Sequence, residues 1–464
     1  MKKILSVLLV LVLVVGLCAC GGSGEKKPEG LQAGYARESI MPDNPVGLGG
    51  FANENVRLSQ GYLDIVYVTC IAFSEGEDTV LMLTIDSGGV DTTYADALRK
   101  EVSEATGVPI ANITLSSSHS HACPVLHKSY SDHCLKVYAA AATAAKNALA
   151  DQSPATLYAA NVQTEGMNFV RHYIQGDGSY TSANLGNFDR DDPEVKHARE
   201  ADHEMVLIRA ERAAEDKNDI VLMNWAAHPC YDATGTTTTI HADYIGTART
   251  AFEQQTGMHF AFIQGGGGDA ITDSGILALR HNLDRTQYGE ALAKYAIDAL
   301  PTMEKVEGDG IKVSEYTLEY ACNHYGEDKL ADAQRVMEFY TSDRTKATAL
   351  ADSLGFYSIN HAKGIVRAAS NPEKTTINIG ALYIGGVGFA TAPVEMFSQT
   401  SMYVKDNSPF EYTVFCTLTN GAHSYIPISD AHDYPSYEGF VTYFAKGAAE
   451  AIADQMITML KDFQ

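Results

Sequence analysis

The sequence predicts an α/β fold, a mixed sheet flanked by helices, on three observations. Apolar, β-branched runs alternate with helical patterns along the chain. No second linker interrupts the part beyond the N-terminal segment, and the chemically distinctive residues fall just after apolar runs. Ligands in open α/β sheets sit beyond the carboxyl ends of strands, so residues far apart in sequence can meet there.

Taken in order, the chain begins with Lys2 and Lys3 before an unbroken apolar run from Ile4 to Leu17. That is the pattern of a secretory signal, and it is shorter than the roughly 20 residues a membrane-spanning helix requires. Leu17-Cys18-Ala19-Cys20 resembles the bacterial lipobox and assigns lipidation to Cys20; Cys18 fits less well because bulky Leu17 precedes it. Residues 1–20 are therefore expected to be a lipoprotein signal, with the product exported and lipid-anchored at the outer face of the bacterial cytoplasmic membrane. A cleaved signal and a soluble secreted product is the alternative. "GGSGEKKPEG", Gly21 to Gly30, has no apolar side chain to bury and reads as a flexible tether. The folded part is expected over 31–464.

Within it, strand-like "TVLMLTIDS" precedes helical "YADALRKEVSEATG", "NITLSSS" precedes "CLKVYAAAATAAKNALA", and "DIVLMNWAAH" precedes "YIGTARTAFEQQTG". These units predict buried parallel strands between covering helices, while "ATLYAANVQT" and "EMVLIRAER" add antiparallel strands and make the sheet mixed. "KVSEYTLEYA" reads as a further strand, and about 328–369 as a helical insertion. Strands in "INIGALYIGGVGFATA" and "YTVFCTLTNG" follow, then a long helix from about Tyr443 to Lys461.

The net charge of −24 argues against nucleic acid, which needs clustered Lys and Arg. Six cysteines follow Cys20 without a CxxC pair, so neither a zinc ribbon nor a disulfide-built miniprotein fits. Buried free thiols are expected, with a Cys123–Cys134 bridge as the alternative.

Five stretches carry chemistry. "SSSHSHACP" sets His119 and His121 two apart, on one face if the strand continues, where both imidazoles can approach one ion. A hydrogen-bonded structural pair is the other reading. In "NWAAHPC", Pro229 places His228 at a strand end. In "ATAPVEMF", Glu395 sits where an apolar run turns toward a helix; it is either a ligand or a first-turn glutamate favoured by the helix dipole. "TNGAHSYIP" offers His423 and Tyr425, the latter a packed aromatic unless its surroundings say otherwise. "QGGGGDA" lets backbone N–H groups approach closely but lacks the GK[ST] of a phosphate loop, which excludes a nucleotide site. Gly268 then serves tight packing and Asp269 orients its neighbours.

The ordered set "GYARESIMP", "GGF", "TVLMLTIDS", "NITLSSSHSHACP", "NFVRHY", "NWAAHP", "HADYIGTAR", "QGGGGDA", "APVE", "TNGAHSYIP" and "YPSYEG" resembles the neutral (alkaline, non-lysosomal) ceramidase family, from about Gly34 to the last helix. The resemblance implies a catalytic domain reminiscent of zinc aminopeptidases and carboxypeptidases. It also implies one Zn2+ ion held by His119, His228, Glu395 and Tyr425, with His121 beside the metal as an acid/base or orienting group. Arg171 resembles the family's active-site arginine, and Tyr434 and Tyr437 its pocket tyrosines. The implied reaction is zinc-assisted hydrolysis of an amide, including N-acyl lipids such as ceramide. The chain departs from the family at Ile271, where GD-x-S-P carries a serine; Thr272 or Ser274 could approach the same space. It also stops before the β-sandwich domain that follows in ceramidases. A substrate-binding lipoprotein without turnover, or a metal hydrolase of another bond, are the competing readings.

Overall fold

The computed structural model describes residues 30–51, 57–185, 192–272 and 283–464. The signal, the Cys20 lipidation site and nearly all of the tether lie outside these residues. Strand β1 (Gln32–Ser39) pairs antiparallel with β2 (Tyr67–Glu75), and β2 with β3 (Asp78–Ile85). Glu75 faces Asp78 across this hairpin, and Gly76, at φ +59°, takes the left-handed turn conformation that glycine adopts without steric cost. Helix α1 (Thr92–Thr106) then crosses over, so that β4 (Ile113–Ser117) lies parallel to β3. Helix α2 (Ser131–Ala150) leads to β5 (Ser153–Gln163), which touches the other side of β1; antiparallel β6 (Glu204–Arg212) and β7 (Ile220–Trp225) follow. A second crossover, helix α3 (Asp243–Thr256), places β8 (His259–Gln264) parallel to β7. The order is β8-β7-β6-β5-β1-β2-β3-β4, with a short strand, Glu304–Lys305, also pairing β5. Helix α4 (Arg285–Ala299) covers the β6–β8 end.

The parallel arrangement expected from the apolar runs is confined to the two crossover pairs; the other strand pairs along this path are antiparallel. The reason lies in what such runs report, which is burial on both faces. Alternate residues of the strands enter different cores. Val68, Cys70, Leu81 and Leu83 face α1 and α2, while Met205, Leu207, Met223 and Phe260 face α3 and α4. Ile71, Phe73, Met82, Ile208, Leu222 and Ile263 point the other way. There they meet a second sheet rather than helices, made of β9 (Ile311–Ala321), β10 (Lys374–Ile384), β11 (Val387–Thr391) and β12 (Thr413–Cys416). Its far face packs under α8 (Ser398–Asn407) and the last helix, so the layers run helix, sheet, sheet, helix.

Between β9 and β10 stand three helices: α5 (Leu330–Met337), α6 (Arg344–Ser353) and α7 (Ile359–Ala368). They share a core of Val336, Ala347, Phe356 and Ile365. Asp343 and Ser358 cap α6 and α7 by accepting from the backbone N–H of Lys346 and His361. Helix α9 (Tyr437–Val441) packs on α7 closely enough that a Cβ on Gly364 would stand 2.0 Å from the Phe440 carbonyl oxygen.

One local expectation is corrected. The last helix, α10, runs Ala448–Lys461 rather than from Tyr443, because Phe444 bridges Cys322 and the Ala445 N–H donates to Ala321, tying this stretch to the end of β9. The expectation of free thiols is met, and the alternative Cys123–Cys134 bridge does not form: Cys70, Cys123, Cys134, Cys230, Cys322 and Cys416 are free, with the Cys123 thiol donating to the His241 carbonyl and the Cys134 thiol to that of His127.

Candidate metal centre

The site forms where β4, β7, β8, β11 and β12 end. Strand β4 stops at Ser117, whose N–H donates to the Leu418 carbonyl, so the loop after β12 is laced to it. His119 therefore no longer follows strand alternation: its φ of +69° is left-handed, a rare conformation for a side chain with a Cβ. The expectation that a continuing strand aligns His119 with His121 is replaced by a turn that does so. The turn is held by the His119 Nδ1–H, which donates to Gly88 O at 2.7 Å, and by the His121 N–H, which donates to Pro229 O at 3.0 Å.

That second bond joins the loop to His228. Strand β7 ends at Trp225, and His228 then donates its backbone N–H to Ala270 O and its Nδ1–H to Gly267 O at 2.7 Å. Glu395 and Tyr425 stand side by side because each opens a two-residue parallel bridge, Glu395 opposite Tyr425 and Met396 opposite Ile426. The glycine run makes room for this bridge. A Cβ on Gly268 would lie 2.9 Å from the carbonyl oxygens of both Glu395 and Met396. Asp269 accepts the first N–H of α8, that of Ser398, at 2.8 Å, and so fixes the segment behind Glu395.

Four groups placed far apart in the sequence thus converge, with His121 as a fifth. Glu395 Oε2 lies 3.1 Å from His119 Nε2 and 3.3 Å from His228 Nε2, and the Tyr425 hydroxyl lies 3.1 Å from His228 Nε2. His121 Nε2 is 3.4 Å from His119 Nε2. The ligating atoms of the three imidazoles all fall within 4.8 Å of one another. Ligands about 2.0–2.1 Å from a tetrahedral zinc are separated by about 3.3 Å, so these spacings fit such an ion. The donor set fits as well. With their Nδ1–H groups committed to carbonyls, His119 and His228 present bare Nε2 lone pairs, the arrangement that a carbonyl partner on the far nitrogen gives metal-binding histidines.

The electrostatics agree. Burial, helped by its imidazole neighbours, holds His121 well below the ordinary histidine range, and burial with Arg171 lowers His228 to about 4. Burial opposes ionisation of Glu395, but His119 and His228 outweigh it and keep this carboxyl well below its usual value. Tyr425 is pushed well above the phenol range by burial and by Glu395. The centre therefore holds a buried carboxylate, Glu395, beside His121 and His228, two imidazoles that burial keeps neutral, a charge state that suits a divalent cation.

Behind it runs a buried polar chain. Arg171 donates to Glu438 at 2.6 Å and to Gly268 O at 2.9 Å, and its guanidinium lies 5.6 Å from the centre of the Tyr425 ring. Glu438 also accepts from His172 at 2.7 Å; burial opposes its charge, yet Arg171 and His172 hold its pKa down to about 2. Tyr434, expected in the pocket, stands at the far end of this chain instead. Its hydroxyl meets His172 Nδ1 and Arg199, each at 2.8 Å, and its ring stacks on Tyr180, so it props the wall from behind. Tyr437 does line the cavity, 5.8 Å from the Tyr425 ring, and burial raises its phenol to about 12.

The cavity above the centre measures about 490 Å³. Ile271 is drawn into a short bridge with Phe169, and neither it nor Thr272 lines this space; Ser274 lies outside the described residues. Sequence reasoning missed Glu438 and His172, although both stand inside the stretches "YPSYEG" and "NFVRHY". It also assigned no role to Gly50 of "GGF", which abuts His121: at φ +101°, a Cβ there would lie 2.2 Å from the imidazole Cγ. The carbonyls of Gly88 and Gly267 leave no trace in a sequence.

No family model and no curated protein matches this chain. Solved structures do. Neutral ceramidase from Pseudomonas aeruginosa superposes with a TM-score of 0.68 at 14% identity, covering 94% of this chain and 75% of that one. A ceramidase complexed with C2 superposes with a TM-score of 0.69, also at 14% identity and with the same coverage. The architecture that brings His119, His121, His228, Glu395 and Tyr425 together is the fold of neutral ceramidase.

Proposed function

We propose that this chain is a metal-dependent hydrolase that cleaves a linear amide, with one Zn2+ ion held by His119, His228, Glu395 and Tyr425. The observation that carries the reading is the convergence of Glu395 Oε2 with the Nε2 atoms of His119 and His228 at 3.1 and 3.3 Å in a buried pocket. The fold shared with ceramidases supports the choice of an amide, and an N-acyl lipid is the substrate class that fold suggests. A zinc ion bound there supplies Lewis acidity toward a carbonyl and toward water at neutral pH.

The chain's own residues do the rest. His121 differs from the two ligand histidines in one respect: its Nδ1 is buried without a hydrogen-bond partner among the described residues. An imidazole not pinned through Nδ1 suits a proton carrier better than a fixed ligand, and His121 passes the proton to the departing amine. Tyr437, whose hydroxyl points to no acceptor among the described residues, donates to the developing oxyanion. Arg171, locked by Glu438 and Gly268, holds the Tyr425 ring and the glycine run in place. The balance is simple: water adds across the C–N bond, releasing a carboxylic acid and an amine.

Metal analysis of the purified protein tests the centre, with about one zinc per chain expected and a loss of tightly bound metal in His228→Ala. Full stoichiometry in that variant removes the assignment. An assay with N-acyl amines separates turnover from mere binding, since a binding protein shows affinity without product. We further propose that Cys20 anchors the enzyme outside the cytoplasmic membrane; Cys20→Ala then shifts it from the membrane fraction to the soluble one.

A further inference from the structure

One wall of the cavity belongs to the helical segment, and it is basic. Asn360, Lys363, Gly364 and Arg367 line the cavity at the i, i+3, i+4, i+7 spacing of a single face of α7, and Arg344 joins them from α6. The opposite stripe of α7, with Ile359, Ala362 and Ile365, is buried in the segment's own core. Glu395, committed to the metal centre, is the sole carboxylate on the described lining. This cationic surface stands in a chain of net charge −24.

Among the described residues the wall's cations also lack carboxylate partners. Arg37, Arg99, Arg171, Arg199, Arg209, Arg212, Arg249, Arg285 and Arg335 all pair with carboxylates. Among the described residues no carboxylate pairs with Arg344, Lys363 or Arg367. Arg367 Nε and Nη2 are buried with no hydrogen-bond partner, and its guanidinium is depressed below its usual pKa chiefly by burial. Lys363 and Arg344 instead crowd Tyr340, with Lys363 Nζ 3.4 Å from its hydroxyl and the Arg344 guanidinium 4.9 Å from its ring centre. A buried guanidinium without an acceptor costs free energy unless a ligand supplies one.

We infer that the amide cleaved here carries an anionic group, a carboxylate or a phosphate ester, which Arg367, Lys363 and Arg344 bind while the scissile bond lies at the metal centre. The inference rests on the hydrolase reading and narrows it, away from uncharged N-acyl sphingoid amides and toward N-acylated amino acids or phosphorylated N-acyl amines. Arg367 supplies the planar fork that carboxylate and phosphate oxygens match, and Lys363 and Arg344 add charge around it.

Matched substrates test it on the zinc-loaded full chain: N-lauroylglycine against N-lauroylglycinamide, and phosphorylated N-lauroylethanolamine against the unphosphorylated amide. At least one charged member is expected to exceed its neutral partner tenfold or more in kcat/KM, mostly through KM. The pair that shows this distinguishes carboxylate from phosphate. Arg367→Gln and exposed Arg344→Gln should each lower that ratio at least fivefold, and Arg367→Lys should retain part of it. Equal or better turnover of both neutral members, or a ratio unmoved in both glutamine variants, overturns the anion site and leaves the hydrolase reading intact. If none of the four amides is hydrolysed, the hydrolase reading fails, and equilibrium dialysis of N-lauroylglycine against its amide decides. Tighter binding of the acid, lost in Arg344→Gln, sustains the anion site, and equal binding ends it.

Discussion

Glu395 Oε2 stands 3.1 Å from His119 Nε2 although more than half of the chain separates them, and no hydrogen-bond donor of the described residues satisfies that buried oxygen. An acceptor facing a second acceptor is unfavourable unless a cation lies between them. Glu395→Gln is therefore expected to weaken zinc binding by at least a hundredfold and to abolish the metal-dependent rise in melting temperature. A zinc titration followed by calorimetry reads both, since a ligand bound only by the folded state stabilises it. An unchanged thermal response to zinc would refute the role.

Gly50 sets the position of His121. Gly50→Ala forces the imidazole to move, because the new methyl would overlap its ring, and adds left-handed strain at φ +101°. Metal content should persist near one equivalent while kcat falls by about 100-fold, the low end of what a general acid contributes. Loss of zinc in step with activity would mean that His121 is a ligand and not a proton carrier.

Arg171 and Glu438 form a pair with almost no solvent access on either side chain. Removing one partner leaves an uncompensated buried charge, so Glu438→Gln should cost about 3–5 kcal/mol in stability. Denaturant unfolding measures that loss, and a cost below about 1 kcal/mol, the level of an exposed pair, would contradict it.

His361 clamps α7 to α9: its ring stacks on Phe440 at 4.2 Å, and its Nδ1 accepts from the Tyr357 N–H. Burial, with a smaller contribution from Lys329, lowers its pKa from 6.5 to about 4. Between those values the unfolded chain binds the proton and the folded one does not, so stability rises with pH. The contribution is complete above about pH 6.5 and is lost as pH falls toward 4, on the order of 1 kcal/mol after allowance for solvent screening. The hydrogen-exchange protection of α7, measured relative to the intrinsic amide exchange rate at each pH, should fall between pH 7.5 and 5 in the wild type and much less in His361→Phe. Equal acid sensitivity in both would remove His361 from the account.

These variants also mark how much was legible beforehand. Each strand–helix unit announced itself, because apolar runs and 3.6-residue patterns are local consequences of burial. Those runs did not say what covered them, and a second sheet supplied the cover where parallel strands under helices were expected. The chemistry-bearing residues were visible as types in strand-end positions. Tyr434 was misplaced by one layer, since a tyrosine's sequence surroundings do not tell whether its hydroxyl faces a cavity or a neighbouring His172 and Arg199.

What the sequence determined by itself is the inventory: three strand–helix units, a helical segment near residues 328–369, and histidines, a glutamate and a tyrosine each placed where an apolar run ends. Side-chain identity and hydropathy period are properties of neighbours along the chain, so they can be read there. What only the tertiary structure decided is the meeting of His119, His228, Glu395 and Tyr425, the commitment of two Nδ1–H groups to the Gly88 and Gly267 carbonyls, and the basic wall that α7 turns toward them. Those are distances between segments brought together by packing, and packing depends on every layer of the fold at once.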